Sequence, residues 1–338
     1  MKSIEMLKKS HFNKLNFFIN AQFKHRKFKQ ANKTAGFTLI ELMVAMILAV
    51  LVITPLLGFM INILDTDRKE QAKINSEQEI QTALDYIAQD LQQAIYIYDA
   101  DGIKAIKNQL LDSSSSDRVP VLVFWKRKFE KEAIELKKVT SSKTKNDAFV
   151  YSLVTYYLIQ DKTTNDKNNI WSNQYRIARF ELNDGIEPDD EYNTKVTSQY
   201  IQQPDPGFAK FDLSIQGTLE QKMNAWKKGG SYKTSQNPDV LVDYVDSSQG
   251  FKTVDCKSVF PKSKKSKDSL KVPALNGVLN NASFYACVDI DNTTAKIFLR
   301  GNALARIEEK NYSYKDNLKS YFPSARINVK GRGFIGVE

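Results

Sequence analysis

The chain has 338 residues, of which 42% are hydrophobic and 11% aromatic, enough for one large domain or two ordinary ones. Its net charge of +10 is concentrated in residues 1–36, which hold nine Lys/Arg and one acid, whereas the other 302 residues hold 40 basic and 38 acidic groups. Both histidines, His11 and His25, lie in the same segment. Without that segment the chain has no histidine, which excludes His-based catalytic triads and the commoner zinc sites.

The first predicted element is an apolar helix at residues 42–64. Its 23 residues reach about 34 Å, enough to cross a hydrocarbon core about 30 Å thick. The sequence continues as NILDTDRKEQ, without the small residues of a signal-peptidase site, so the segment is expected to stay in the membrane. Basic residues precede the span and the charges behind it nearly cancel, which predicts a cytoplasmic N-terminus and a body outside.

Pro55 and Gly58 are expected to bend or locally unwind the middle of this span. Proline removes one helical hydrogen bond, and the hydroxyl of Thr54 can partly compensate for it. These two residues are therefore the predicted kink of the helix.

Glu41 is the one ionisable side chain between Ala35 and Leu64. An unpaired carboxylate inside a bilayer costs roughly 2.5–3.5 kcal/mol on insertion scales. One interpretation places Glu41 at the membrane interface, where it reaches water. The other is proteolysis after Gly36, which gives Phe37 an α-amino group about one helical turn from Glu41 of the same chain or of a neighbour.

The string GFTLIELMVAMIL at residues 36–48 resembles the N-terminal signal of type IV pilins and pseudopilins: a basic leader, glycine, phenylalanine, then glutamate at the fifth mature position. The resemblance implies that a prepilin peptidase cuts between Gly36 and Phe37 and methylates the Phe37 amine. It also implies that Glu41 serves filament assembly by pairing with the N-terminus of an adjacent subunit. The implied partners are other pilins or pseudopilins and an inner-membrane assembly platform.

Residues 65–98 are amphipathic. Their apolar residues recur at helical spacing, which joins this segment to the span as one helix of roughly sixty residues, or about 90 Å. We expect the apolar face to pack on a sheet, a partner surface being the alternative. The residues of that face are Ile80, Leu84, Ile87, Leu91 and Ile95.

Beyond Gly102 the patterns are typical of strands separated by polar loops. Strands are predicted at 119–126, 149–159, 175–182, 240–246, 283–290, 295–301 and 325–331, and short helices at 209–216 and 219–227. The fold class is therefore α+β, with a long N-terminal helix packed on an antiparallel sheet, as the pilin resemblance also implies. The predicted domains are the leader (1–36), the transmembrane helix (37–64), its amphipathic continuation (65–99) and an extracytoplasmic head (100–338).

Cys256 and Cys287 are the only cysteines, and neither belongs to a CxxC pair that indicates a zinc or redox site. If the head is exported, the pair fits a single disulfide, whose loop stabilises the fold by about 3–4 kcal/mol in the chain-entropy model. Two separate buried thiols are the alternative.

Two further stretches narrow the resemblance. LDYIAQDLQQAIYIYD at residues 84–99 resembles a helix segment of the J-type and W-type minor pilin components, although Gln89 replaces the usual basic residue. The longer string at 52–103, followed by DRVPVLVFWKR, resembles the hormogonium polysaccharide-secretion pseudopilins of filamentous cyanobacteria, most closely the C-type member. That resemblance implies a structural, non-enzymatic subunit of a filament that supports polysaccharide export and gliding motility.

The expected surroundings are the inner-membrane bilayer, a periplasmic or cell-surface filament and an exported polysaccharide. No cofactor, metal, catalytic residue or nucleic-acid partner is predicted. Two weaker signals are interpreted as solvated loops: the acidic run at 184–193, with calcium as the alternative, and the lysine cluster at Lys262, Lys264, Lys265 and Lys267, with an anionic polymer as the alternative. The rival functions are a minor pilin of a DNA-uptake or adhesive pilus and a single-span ectodomain enzyme.

Overall fold

A computed structural model describes residues 36–135, 145–160, 170–188, 200–248, 252–274, 282–308 and 313–333. The chain divides into two compact units, Met1–Ile61 and Asn62–Glu338. The described part of the first unit is almost entirely helical, and the nine strands of the described ranges all belong to the second unit. A long apolar N-terminal helix followed by antiparallel sheets is the α+β architecture predicted from the sequence.

Helix α1 runs from Leu39 to Gln92, a length of 54 residues. Within the described residues it is the one helix long and apolar enough to cross a membrane, and none of its most apolar 18-residue window is buried. Large apolar side chains from Leu39 to Leu64 are all exposed, as expected of a surface that faces lipid rather than a protein core.

The second half of α1 buries one face at intervals of three and four residues, which confirms that the predicted apolar face is core. Its buried residues are Ala72, Ser76, Ile80, Ala83, Leu84, Ile87, Ala88, Asp90 and Leu91. The helix ends at Gln92 and not near Tyr98, so the prediction that residues 65–99 continue the helix is wrong at its end. Ile95 belongs instead to strand β1 (Ala94–Ile97), which is fully buried and pairs with the next strand. Aromatic and β-branched residues favour that pairing over another helical turn.

The first sheet has five antiparallel strands in the order β1-β2-β3-β4-β5. After β1 come β2 (Arg118–Glu135), β3 (Lys145–Ile159), β4 (Tyr175–Asn183) and β5 (Asp239–Val245). The second sheet has four antiparallel strands in the order β6-β7-β8-β9, namely Lys271–Val272, Phe284–Asp289, Thr294–Arg300 and Ser324–Lys330. The seven strands predicted from the sequence are confirmed, while β1 and the two-residue β6 were not predicted.

Short helices connect the strands. They are α2 (Ala100–Ile106), α3 (Leu219–Asn224), α4 (Cys256–Val259) and α5 (Lys267–Leu270), with 3-10 turns at Lys107–Gln109, Leu304–Arg306 and Asp316–Tyr321. The prediction of a helix at 219–227 is confirmed by α3, where Thr218 and Gln221 form a capping box. The predicted helix at 209–216 is wrong: Phe211 packs edge-on against Trp125 of β2, so its apolar residues cover the sheet instead of following a helical period.

One hydrophobic core joins the buried face of α1 to both sheets. Gly301, just after β8, shows how closely they approach, because a Cβ atom there would lie 2.3 Å from Cδ1 of Ile80. A smaller cluster lies on the opposite face of the second sheet, where Cys256 of α4 is bonded to Cys287 of β7. The two cysteine Cα atoms are 5.3 Å apart.

Candidate functional site

Helix α1 begins with a capping box built from two residues. The backbone N–H of Thr38 donates to Oε2 of Glu41 at 3.1 Å, and the Thr38 hydroxyl donates to the same oxygen at 3.0 Å. In return, the N–H of Glu41 donates to the Thr38 hydroxyl at 3.3 Å. This T-x-x-E arrangement satisfies helix N–H groups that have no partner within the helix itself. Glu41 therefore has a role within its own chain as the third residue of the helix.

Sequence reasoning missed this role because it treated Glu41 only as a charge in need of a cation. The signal was visible, since a threonine three residues before a glutamate at the start of an apolar run is the signature of a capping box. Both partners follow Gly36, so a cut after that residue leaves the box intact. Within the described residues the box engages Oε2 of Glu41 but not Oε1, which leaves one carboxylate oxygen for a donor from outside the chain.

Gly36 and Phe37 have no packing role within the described chain. A Cβ atom added to Gly36 would meet no heavy atom within 4 Å. The Phe37 side chain is 87% exposed. The fold therefore imposes neither the glycine nor the aromatic residue, and a requirement for either must come from another molecule or from lipid.

The predicted kink lies in a part of α1 that is helical throughout. The helix contains Pro55, and the Thr54 hydroxyl donates to the carbonyl of Val50 at 2.8 Å. The carbonyl that proline deprives of its partner is that of Leu51, four residues earlier, so the threonine bond does not replace the lost one. A side chain at Gly58 would meet nothing within 4 Å. Bending at this point stays a prediction.

A second carboxylate of α1, Asp90, lies at the other end of the helix in a buried ionic cluster with the first sheet. Its oxygens accept from Lys126 Nζ at 2.8 Å, Arg179 Nε at 2.8 Å and the Tyr156 hydroxyl at 2.9 Å. Glu181 completes the cluster, 3.0 Å from Lys126 and 2.7 Å from Arg179. Two acids and two bases thus balance in a site where Asp90 is 6% exposed.

The cations of the cluster determine how its acids titrate. Burial alone raises the pKa of Asp90, but the hydrogen bond from Arg179 and the charge of Lys126 outweigh it and hold that pKa below its ordinary value. Burial also raises the pKa of Glu181, but the charges of Lys126 and Arg179 outweigh burial and hold that pKa below its ordinary value. Both acids are therefore charged at neutral pH, and the cluster serves to hold the end of α1 on the sheet.

The lysine cluster predicted as a solvated run is not one common surface. Lys265 lies 2.5 Å from Glu220 and 3.3 Å from Asp99, the N-cap residue of α2. Lys267 lies 3.8 Å from Asp255. Lys262 and Lys264 are exposed. Two of the four charges are thus compensated by acids of the head.

Only residues 184–188 of the acidic run at 184–193 are described. There Asp184 lies 3.6 Å from Lys210, and Glu187 lies 2.8 Å from the same ammonium group. Among the residues that the structure describes, no group of three or more His, Cys, Asp or Glu side chains is arranged to hold a metal ion. The rest of the run lies outside the described residues.

Comparison with known proteins gives one result. The family model described as the prokaryotic N-terminal methylation motif matches residues 31–57, a segment that includes Gly36, Phe37 and Glu41. No curated protein and no solved structure gives a significant match to the chain. The chain therefore carries the N-terminal signal of type IV pilin-like proteins, on an α+β architecture of the pilin-like kind.

Proposed function

We propose that this chain is a minor pseudopilin: a membrane-anchored structural subunit of a filament related to type IV pili and type II secretion systems. The observation that carries this proposal is the methylation motif at residues 31–57, placed directly before a helix that is long and apolar enough to span a membrane. The exposed Gly36–Phe37 pair directly before that helix supports it, because the part of the chain that the structure describes packs against neither residue.

The first step of the mechanism is processing. The precursor lies in the inner membrane as a single span, with the basic leader in the cytoplasm and the head outside. A prepilin peptidase cuts after Gly36, which removes nine basic residues and one acid, and methylates the new Phe37 amine. The capping box of Thr38 and Glu41 persists, so the helix start remains ordered while it gains a positive charge.

The second step is assembly. Processed subunits pack their apolar helices side by side on an inner-membrane platform, together with other pilins or pseudopilins. Oε1 of Glu41 accepts from the methylated amine of Phe37 in a neighbouring subunit, while Oε2 stays with Thr38. Pairing removes the cost of holding a lone carboxylate in hydrocarbon, so the ion pair favours the correct register of neighbouring helices. Pro55 and Gly58 allow the helix to bend during this packing.

The filament supports export of a polysaccharide and, through it, gliding motility. Support comes from the resemblance of residues 52–103 and the following strand to polysaccharide-secretion pseudopilins. A DNA-uptake or adhesive filament is the competing function. Loss of the chain in its native host should abolish polysaccharide export with DNA uptake unchanged; the reverse pattern would favour the competitor.

Mass spectrometry of the mature N-terminus tests the central claim. The full chain is expressed in membranes with a prepilin peptidase, purified and analysed as intact protein and as N-terminal peptides. We expect the chain to begin at an N-methylated Phe37. A protein that still carries residues 1–36 in the presence of active peptidase would overturn the proposal and return a single-span enzyme to consideration.

A further inference from the structure

The second sheet has two chemically different faces. Alternate residues of β7 and β8, such as Phe284, Val288 and Ile297, point into the core and are fully buried. Side chains of the intervening residues point the other way. The register confirms that these belong to one face, because Tyr285 pairs with Phe298, and Phe298 pairs in turn with Arg326 of β9.

The outer face of this sheet is strongly cationic. It carries five basic residues and one acid: Lys271, Lys296, Arg300, Arg326, Lys330 and Asp289. The acid is almost fully buried and accepts a hydrogen bond from Asn292 at 2.7 Å, so it faces the solvent little. Among the described residues, no carboxylate lies within salt-bridge distance of Lys296, Arg326 or Lys330. Lys271 and Arg300 are buried, and Arg300 is paired with Asp246, so the open charge of this face comes from Lys296, Arg326 and Lys330. Positive charge of this kind attracts anionic ligands.

Half of this face is covered and half is open. Cys256 and Leu270, from the segment between β5 and β6, pack on Tyr285 and Phe298. Val254 of the same segment donates its N–H to the Tyr285 hydroxyl at 3.1 Å. Strand β9 is an edge strand, and its Arg326 and Lys330 remain exposed. Arg326 and Lys330 are four residues apart, so their side chains leave the strand about 13 Å from each other.

A cavity of about 420 Å³ opens where the covering segment meets β8 and β9. Its basic groups are Lys252, Arg300 and Arg326, its hydroxyl groups include Ser283 and Ser324, and no acid is among its lining residues within the described chain. Arg300 is 8% exposed and donates to Asp246 at 2.7 Å, so its guanidinium is held in place. Its volume lies within the range of about 300–1,000 Å³ that ligand sites occupy.

We propose that this cavity and the adjoining face of β9 bind an acidic polysaccharide, a polymer of carboxylated or sulfated sugars. Arg326 and Lys252 at the rim pair with its acidic groups, and the exposed hydroxyl of Ser324 exchanges hydrogen bonds with its hydroxyls. Lys330 meets a later acidic group of the same polymer along the strand.

A nucleic acid fits this site less well. Single-stranded nucleic acids bind by stacking bases on exposed aromatic rings. Here Tyr285 and Phe298 are stacked on each other, with centroids 4.6 Å apart, and are 6% and 9% exposed. Protection of an edge strand from aggregation accounts for exposed charges on β9. It does not account for a cavity of about 420 Å³ beside β9 whose lining, within the described chain, includes Lys252 and Arg326 but no acid.

The anion-binding face is inferred from geometry, whereas the choice of a saccharide as its ligand rests on the proposed export function. The test therefore measures binding on the purified full chain in detergent micelles, separately from processing and assembly. The probes are fluorescent polygalacturonate, neutral dextran of similar length and a single-stranded DNA oligonucleotide at roughly 0.1 M salt, where exposed charges more than about 10 Å apart are largely screened.

The decisive variant is Arg326→Gln with Lys330→Gln, because both side chains are exposed and their loss leaves the core intact. We expect it to weaken polygalacturonate binding by about tenfold or more, as the loss of charge-assisted hydrogen bonds implies. The matched control is Lys104→Gln with Lys107→Gln, which removes two exposed charges beside a different groove. It should bind like the unaltered chain, and both variants should melt at the same temperature.

Several outcomes would overturn the proposal. They are absence of polygalacturonate binding, equal binding of neutral dextran, tighter binding of DNA, or an equal loss in both variants. Binding of polygalacturonate by a chain that is never cut after Gly36 would uphold this site and refute the filament. A chain that is processed and assembled but does not bind polygalacturonate would do the opposite.

Discussion

Helix α1 carries an acidic residue near each end, and the two have opposite surroundings. Glu41 is exposed, and the partner that the structure gives it is Thr38, three residues away. Asp90 is buried, and its partners are 36, 66 and 89 residues away in sequence. Because the partners of Asp90 are distant in sequence, its carboxylate stabilises the tertiary fold. Glu41 has one local partner and one carboxylate oxygen outside the capping box, so it can accept a hydrogen bond from another molecule.

The largest expected effect concerns the exposed end of α1, at the proposed cleavage site. If a prepilin peptidase cuts after Gly36, as proposed, Gly36→Ala should abolish processing, and because the chain has open space for the added methyl group the loss must arise at the peptidase. The readout is uncut precursor on a gel after co-expression with the peptidase. Gly58→Ala, in similarly open space within the same helix, is the matched control and should be processed normally. Efficient cutting of the Gly36→Ala chain would contradict the assignment of the site.

Substitutions at the buried end of α1 should change the stability of the fold and leave cleavage of the precursor unchanged. Asp90→Ala leaves the buried Lys126 and the half-buried Arg179 with Glu181 as their remaining acid in the cluster, which should lower the free energy of unfolding by about 3 kcal/mol, the lower end for a broken buried pair. Chemical denaturation of the full chain in micelles measures the change.

Asp85→Ala is the control for Asp90→Ala, since this exposed acid lies five residues earlier on the same helix and its amide partner is also exposed. Its effect should stay within about 0.5 kcal/mol. Equal effects from the two variants would mean that the cluster contributes nothing particular to the fold.

At Glu41 the question is whether charge or helix capping matters for assembly. Glu41→Ala removes both, Glu41→Gln keeps a capping side chain without the charge, and Thr38→Val keeps the charge without the capping hydroxyl. If Glu41 pairs with a neighbouring Phe37 amine, both Glu41 variants should assemble poorly. The Thr38 variant should still assemble, because it loses only the helix cap, which contributes about 0.5–2 kcal/mol to helix stability.

Processing should stay normal in all three of these variants, and assembly is measured as the fraction of subunits in sheared filaments. Normal assembly of Glu41→Gln together with failure of Thr38→Val would show that capping, and not ion pairing, is what the filament needs.

The smallest expected effect is the pH dependence of the buried cluster. The pKa values of Asp90 and Glu181 lie below their ordinary values, so their stabilisation is fully present above the unfolded-state values of about 4 and is lost as the pH falls through the lower folded-state values. Melting temperatures of the full chain between pH 6 and 2 should fall chiefly below pH 4. The double variant Asp90→Asn, Glu181→Gln should flatten that fall; an unchanged curve would assign it to other acids.

Much of the fold was predictable because its signals lie in consecutive residues. The apolar span, the helical spacing from Ile80 to Leu91 and the runs of β-branched and aromatic residues in β2 and β3 each extend over a few consecutive positions. Strand β1 was missed because Ile95 continues the helical spacing of α1 and only pairing with β2 makes it a strand. The helix predicted at 209–216 was wrong for a related reason: Phe211 packs on Trp125 of the sheet, and this tertiary contact, rather than a helical period, sets the conformation of the segment.

By itself, the sequence determined the membrane-capable helix, the methylation motif with Gly36, Phe37 and Glu41, and seven of the strands of the head. Each of these depends on neighbours within a few residues, where chemistry and spacing can be read directly. Tertiary structure alone decided the partners of Asp90 and the cationic outer face of the second sheet. Those groups come from strands far apart in sequence, and only the register of the sheets sets which side chains share a face.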